Sequence, residues 1–430
     1  MHAALSFDQA PPISAPYRFF LTAPWFAAAA GALLLAEGSS LLSSRWTPAT
    51  LAATHLIGLG FMLQAMCGAL LQFIPVAIGG NVWRPTLVAG IVHPAISLGT
   101  VLLVAAFLGA GSLLFVAAAI LIGVGMVWFL LIIGIALWHA PTNHHIVMAL
   151  RLAHLALTVT LVTGILLAVG LATGQPWVLP ALTNVHAGWS LIGWALTLLC
   201  GVSFYVVPMF QLTPAYPAWI KRGLPLALLL LLIAWTMLFP DFSSPWQEGV
   251  LLAGFAMAAL YAGVTLRLQQ RRRRKLKDST FWFFRVAMLA WLGAAIVTLL
   301  HVAFPVRLDG DRLVVSAGLL VLIGAFGSAI NGMLYKIMLF INWLHLQQQY
   351  SLHGQPSPTM DKMLPERCMR FQLRVHIVTL LTLLTAVWLP VLASPAGFLL
   401  LIDAAWLGLN LARIARAYRH HLAALVPSCH

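Results

Sequence analysis

The chain has 430 residues, of which 61% are hydrophobic and 8% charged, and a formal net charge of +14; its mean hydropathy is +0.95. So little charge excludes a soluble domain, and the long apolar runs exclude a β-barrel, whose strands would be short and alternating. What remains is an all-α integral membrane protein, with residues 1–430 as a single transmembrane domain.

The first 16 residues are mildly polar and lack a basic stretch or a small-residue cleavage site. The apolar run from Phe19 is therefore expected to be a membrane span rather than a signal. Twelve spans of about 20 residues each can be counted. Their approximate limits are 17–41, 48–75, 86–109, 112–139, 147–171, 182–208, 223–240, 248–266, 281–304, 314–344, 371–392 and 396–418. Trp46, Trp83, Trp138, Trp177, Trp246 and Trp282 fall near span ends, where an aromatic belt belongs. The one sizeable loop, about 347–370, carries Gly354, Pro356 and Pro358 and reads as a cytoplasmic connector.

Basic residues gather after even-numbered spans: Arg84, Arg151, Lys221 with Arg222, the run Arg271–Lys277, Lys362 through Arg374, and Arg413, Arg416 and Arg419. Loops after odd-numbered spans hold only Arg45, and Arg307 and Arg312 beside Asp309 and Asp311. By the positive-inside rule both termini are expected in the cytoplasm. The charge thus follows a topology and calls for no nucleic acid; the partner it implies is membrane lipid, which the run from Arg271 to Lys275 could also grip. Cys67 and Cys200 lie in mid-span, and Cys368 and Cys429 fall on the expected cytoplasmic side, so no disulfide framework is expected.

Three stretches share one pattern: Cys67-Gly68 with Pro75, Cys200-Gly201 with Pro208, and Asn331-Gly332 with Leu339. The glycines are 133 and 131 residues apart and fall on spans 2, 6 and 10. The repeat unit is therefore four helices, with blocks at about 17–139, 147–266 and 281–418. Three such arcs around a pseudo-threefold axis would bring spans 2, 6 and 10 to the inside. Glycine at matched depth lets helices, or a flat cofactor, approach closely. Four residues past each glycine stand Gln72, Tyr205 and Lys336, which form either a ring of polar groups on an internal axis or a set of interfacial residues that pack or snorkel.

Eight of the 15 histidines lie in or at the ends of spans. His55, His186 and His301 fall in the expected outer third. His93, His154 and His376 fall in the inner third, with His139 and His345 near the cytoplasmic boundary. His144, His145, His420, His421 and His430 are expected in solvent. Burying an imidazole costs free energy unless it is hydrogen-bonded or ligating. His55 and His186 lie 13 and 15 residues before their glycines on corresponding helices. If spans 2 and 6 face each other, these two rings could hold one iron axially or help hold a copper; otherwise each bonds an oxygen of a neighbouring helix. Glu37 and Asp403 are acids near the expected outer ends of spans 1 and 12, and no proton path is legible from them. No Walker, GxGxxG, HExxH or GxSxG motif occurs.

With these residues the chain resembles subunit I of the haem–copper oxidase superfamily, near the haem-containing NnrS-type and cytochrome-oxidase-subunit-I-like bacterial membrane proteins. The resemblance rests on His55-Leu-Ile-Gly-Leu-Gly-Phe with Gly68–Pro75, on Gly201–Phe210, and on Asn331–Ile337 followed by Trp343-Leu-His345-Leu-Gln. It implies a multi-pass protein of the bacterial inner membrane, with His55 at the position of a low-spin haem ligand and His186 on the helix that supplies copper. It departs from the pattern where the oxidases carry their chemistry. Span 7 has no adjacent histidine pair, span 10 reads Ser316-Ala317-Gly318-Leu319 in place of His-x-His, and Ser190 stands four residues after His186. Reduction of oxygen or nitric oxide at a standard binuclear site is therefore not expected.

The resemblance leads to a non-respiratory relative binding haem b, with copper as a further candidate, through His55 and His186. Its role would lie in haem or metal handling, oxidase assembly or the response to nitric oxide, alongside a respiratory or assembly partner subunit. Two other readings stand beside it. One is a quinol-linked redox enzyme with a second haem or metal at His93, His154 and His376. The other is a small-solute or metal transporter using Lys336, Tyr205 and Gln72.

Overall fold

The computed structural model describes residues 11–141, 145–175, 179–238, 245–273, 278–305 and 307–425. His144, Trp177, Arg274, Lys275, Lys277, Cys429 and His430, singled out above, lie outside the described residues. Among those described, twelve helices are long and apolar enough to cross a membrane: spans 1 to 12 are Ser14–Leu42, Pro48–Ile78, Pro85–Phe107, Leu113–Trp138, His145–Ala172, Pro180–Gln211, Ala218–Met237, Trp246–Gln270, Ser279–Ala303, Gly310–Leu352, Glu366–Trp388 and Pro390–Ala423. The chain is a multi-pass membrane protein with an all-helical fold.

Span starts follow local chemistry. Span 2 begins at Thr47-Pro48, where the Thr47 hydroxyl accepts from the Thr50 N–H at 3.1 Å and the proline sits where no N–H is needed. Asp278 caps span 9 through the Phe281 N–H at 2.9 Å, and Asp309 caps span 10 through the Arg312 N–H at 3.1 Å. Span 10 outruns the bilayer. Its helix continues through Gln347, Gln348 and Gln349 to Leu352, which shortens the expected 347–370 loop to residues 353–365. Straight-chain glutamines favour continuing the helix, and Gly354 at φ +65° turns the chain away from it.

Spans 2, 6 and 10 are the most enclosed. In their most apolar stretches 72%, 67% and 72% of residues are buried, against 22–56% for the other nine. Each packs on the span before it through two glycines. A methyl group added at Gly60 would lie 2.4 Å from Phe26, and one at Gly68 would lie 2.9 Å from Phe19 Cβ. On span 6 the pairs are Gly193 with Ala156 (2.8 Å) and Gly201 with Ala149 (2.9 Å). On span 10 they are Gly324 with Ala290 and Gly332 with Phe283, both 2.8 Å. No added side chain fits at these crossings without a shift, because the glycine backbone packs directly on the facing side chains.

Each of the same three spans also carries an eight-residue π-helical stretch: Leu56–Leu63, Trp189–Leu196 and Leu320–Gly327. The stretches recur at the same intervals as the glycines. A π turn inserts a residue and rotates the helix before it by about 100° relative to the helix after it. His55 stands immediately before the first stretch and His186 three residues before the second; Leu319 and Ala317 hold the corresponding places on span 10.

Outer contacts link consecutive spans. Span 4 packs along span 5, span 8 along span 9, and span 12 returns along span 1. At that last crossing a methyl group on Gly31 would meet the Leu401 backbone at 2.4 Å, and one on Gly397 would meet the Leu35 backbone at 2.5 Å.

Candidate functional site

His55 and His186 both lie at the end of the bundle that carries the loops after odd-numbered spans. His55 Nδ1 bonds the Leu51 carbonyl one turn back at 2.8 Å, and its ring stacks on Phe107 at 5.1 Å between centroids. His186 Nδ1 lies 3.1 Å from the Thr160 carbonyl and 3.1 Å from the Thr163 hydroxyl. Its ring fits against span 5 because residue 164 is glycine; a Cβ there would sit 3.0 Å from the ring.

In both rings Nδ1 donates to a carbonyl, which leaves Nε2 deprotonated with its lone pair outward, and no described residue bonds either Nε2. That is the tautomer in which imidazole ligates a metal, and a carbonyl behind Nδ1 raises the basicity of the ring. Three residues past His55, Gly58 has no atom within 4 Å of where a Cβ would stand, so the helix surface beside the ring is open enough for a flat group. A neutral imidazole with Nε2 free is the kind of donor that haem iron would take, so these two residues are the ones that would hold it. Among the described residues no group of three or more His, Cys, Asp or Glu side chains is placed to hold a metal ion.

Neither a family model nor a curated protein matches the chain.

The other expected histidines are arranged differently. His93 on span 3 bonds Thr22 Oγ1 through Nε2 at 2.9 Å and packs edge-on to Phe19. His154 on span 5 lies against Gly134, where a Cβ would sit 3.1 Å from Nε2. His376 on span 11 uses both nitrogens: Nδ1 meets Asp403 Oδ2 at 2.6 Å and Nε2 meets Ser328 Oγ at 2.8 Å. His93 and His376 rest on corresponding aromatics, Phe19 and Phe283, at the level of Gly68 and Gly332. These three histidines do not join His55 and His186 in one cluster.

Sequence reasoning leaves Asp403 without a partner, and here it finds one. His376 and Asp403 each stand thirteen residues from the Leu389–Pro390 turn, so two antiparallel spans bring them to one depth. That mirror relation is the signal that could have paired them. It also moves Asp403 inward from the span end where its position alone suggests it lies.

Of the matched polar residues, Lys336 reaches Asp278 Oδ2 at 3.4 Å and lies 5.7 Å from the Phe210 ring centre. Tyr205 packs edge-on to Phe73 at 5.9 Å. Gln72 has a buried Oε1 with no hydrogen-bond partner among the described residues. Spans 2, 6 and 10 thus meet at this depth, with the lysine turned to the acid that caps span 9.

A cavity of about 780 Å³ opens among spans 6 to 10. Arg45, Glu248, His301, Asp309 and Asp311 line it with charge and hydrogen-bonding capacity, and the fully buried Trp291 lines its apolar part. Arg45 bonds Asn184 Oδ1 at 2.5 Å and stacks over Trp46. Burial lowers its pKa from the usual guanidinium value, partly opposed by Asp311.

Proposed function

We propose that this chain is a non-respiratory, haem-copper-oxidase-like protein of the bacterial inner membrane that binds haem b through His55 and His186. The observation that carries the reading is the pair of half-buried imidazoles at the same end of spans 2 and 6, each with Nδ1 tied to a carbonyl and Nε2 left open. The three-arc, pseudo-threefold arrangement belongs to the same proposal. It is supported by the matching π turns, the glycine pairs and the run of contacts that returns from span 12 to span 1. Cytoplasmic termini follow from the distribution of Lys and Arg.

Haem b, when bound, would supply an iron centre that exchanges one electron. The chain's own contribution is positioning. The Leu51 and Thr160 carbonyls fix the tautomer of each ring, Phe107 packs the His55 ring, and Gly164 lets span 5 close behind His186. With two ligating side chains and no histidine pair on span 7, the site suits haem or metal handling, assembly of an oxidase, or a response to nitric oxide. Copper at the same pair is the lesser form of this proposal.

The test is an absorption spectrum with haem and metal analysis of the purified full-length protein and of His55→Ala and His186→Ala. The expected result is a Soret band in wild type and its loss in both variants. Wild-type protein without a Soret band or bound metal would sink the proposal. The cavity among spans 6 to 10 favours a second reading, a quinol-linked redox protein, because its size and its polar and apolar walls suit an amphipathic electron donor. Reduction of the haem by added quinol would mark that case.

A further inference from the structure

The cavity among spans 6 to 10 is charged at one end only. On span 9 His301 stands ten residues after Trp291, and on span 10 Val321 stands ten residues after Asp311. At 1.5 Å per residue each pair spans about 15 Å of the cavity's depth. On span 8 the wall is one helical face, with Glu248, Leu251 and Phe255 three and four residues apart. Arg45, Asn184, Glu248, His301, Asp309 and Asp311 therefore crowd the mouth, while leucines, Phe255, Val321 and the fully buried Trp291 wall the inner end. A pocket of about 780 Å³ with this gradient suits an elongated ligand with a polar head and an apolar body.

The charge of that head follows from the ion pairs at the mouth. Asp309 is answered by Arg312 at 3.1 Å. Asp311 accepts from Ser44 Oγ at 3.3 Å and faces the Arg45 guanidinium. Glu248 is exposed, bonds no described residue, and has only the N-terminal turn of span 8 to offset its charge. One carboxylate at the mouth is thus left without a cation. Two indoles share this end. Trp46 already takes a cation, the Arg45 guanidinium 4.2 Å from its ring centre. Trp235 spends its N–H on the Asn184 carbonyl at 3.0 Å, which holds its ring near the mouth. An unanswered acid beside aromatic rings draws a single positive charge.

We infer that the cavity is a binding site for an amphipathic organic cation. Its positive head lies among Glu248, Trp46 and Trp235, and its apolar body lies among Leu232, Phe255 and Trp291. Gly318 leaves room for that body on the wall of span 10, because nothing lies within 4 Å of where its Cβ would stand. The site does not depend on haem, and it differs from a quinol site in charge, since a quinol head is neutral.

The experiment is calorimetric titration of the full-length protein in detergent with octyltrimethylammonium, with octanol and octyl sulfate as neutral and anionic arms of the same chain length. The cation is expected to bind saturably and about tenfold more tightly than octanol, with octyl sulfate weakest. Glu248→Gln, at an exposed position, weakens the cation about threefold and leaves octanol unchanged, and the loss fades at high salt. Gly318→Leu fills the cavity and abolishes binding, which separates the site from partition into the micelle; Glu248→Gln decides the question if Gly318→Leu does not fold. Equal affinity for cation and octanol overturns the proposal and gives the cavity to a neutral ligand. Tighter binding of octyl sulfate overturns it in favour of an anion on Arg45. Cation affinity unchanged in either variant overturns the site itself.

Discussion

His55 and His186 each engage one ring nitrogen with a nearby oxygen and keep the other open, whereas His376 has both nitrogens taken up by Asp403 and Ser328. All three are imidazoles inside membrane spans. The difference lies in what faces each ring. Beside His55 the surface is open at Gly58, while His376 meets an acid, a hydroxyl and an amide contributed by two other spans. A buried histidine is thus a candidate ligand only when the protein leaves a nitrogen unused; otherwise it is part of the scaffold.

That contrast has a direct consequence for stability. His376→Ala leaves the buried Asp403 with Gln372 as its one remaining side-chain partner, and breaking such a buried pair costs about 3–5 kcal/mol. His55→Ala removes a single local bond to the Leu51 carbonyl and costs about 1 kcal/mol in cofactor-free protein. Unfolding in detergent, followed by helical circular dichroism, checks the two values side by side. Equal losses would erase the distinction between the open and the closed site.

The same two regions show what the sequence carries. Twelve apolar spans are legible from hydropathy alone, because a bilayer demands long unbroken apolar runs. The helix crossings are legible in part. Gly68, Gly201 and Gly332 stand out by their spacing, and Gly60, Gly193 and Gly324, eight residues earlier in each case, repeat the signal less visibly. The π turns that contain the earlier glycines are not legible from hydropathy or glycine spacing. His55 and His186 can be singled out by matched position. The bonds that fix their tautomers cannot, because Thr160 and Thr163 come from another span. Asp403 likewise gains meaning only once span 11 lies beside span 12.

The glycine crossings give an intermediate effect. Gly332→Ala places a methyl group 2.8 Å from Phe283 Cβ and 3.2 Å from the Thr280 carbonyl, beneath the Phe283 ring that packs on His376. Overpacking of this kind costs about 1–3 kcal/mol. At Gly318, on the same span, nothing lies within 4 Å of the added methyl, and Gly318→Ala is expected to be neutral. Measured in the same unfolding assay, equal effects at the two positions would argue against the close crossing of spans 9 and 10.

The smallest effect is expected at the other polar position on span 10. Asp278 caps span 9 and faces Lys336 at 3.4 Å. Burial pushes its pKa up, but Lys336, the Phe281 N–H and the Thr280 hydroxyl together outweigh that and hold it below the usual carboxylate value. A carboxyl with a depressed folded-state pKa stabilises the protein above its unfolded-state pKa, and that contribution disappears as the pH falls through the folded-state value. Lys336→Met removes the ion-pair part while the cap to Phe281 remains, so the loss at neutral pH is about 1 kcal/mol or less. The difference in unfolding midpoint between wild type and Lys336→Met should therefore narrow as the pH drops below the carboxylate range. A difference that stays constant with pH would mean that Lys336 acts through packing on Phe210 rather than through Asp278, placing it with the apolar scaffold instead of the charged end of the bundle.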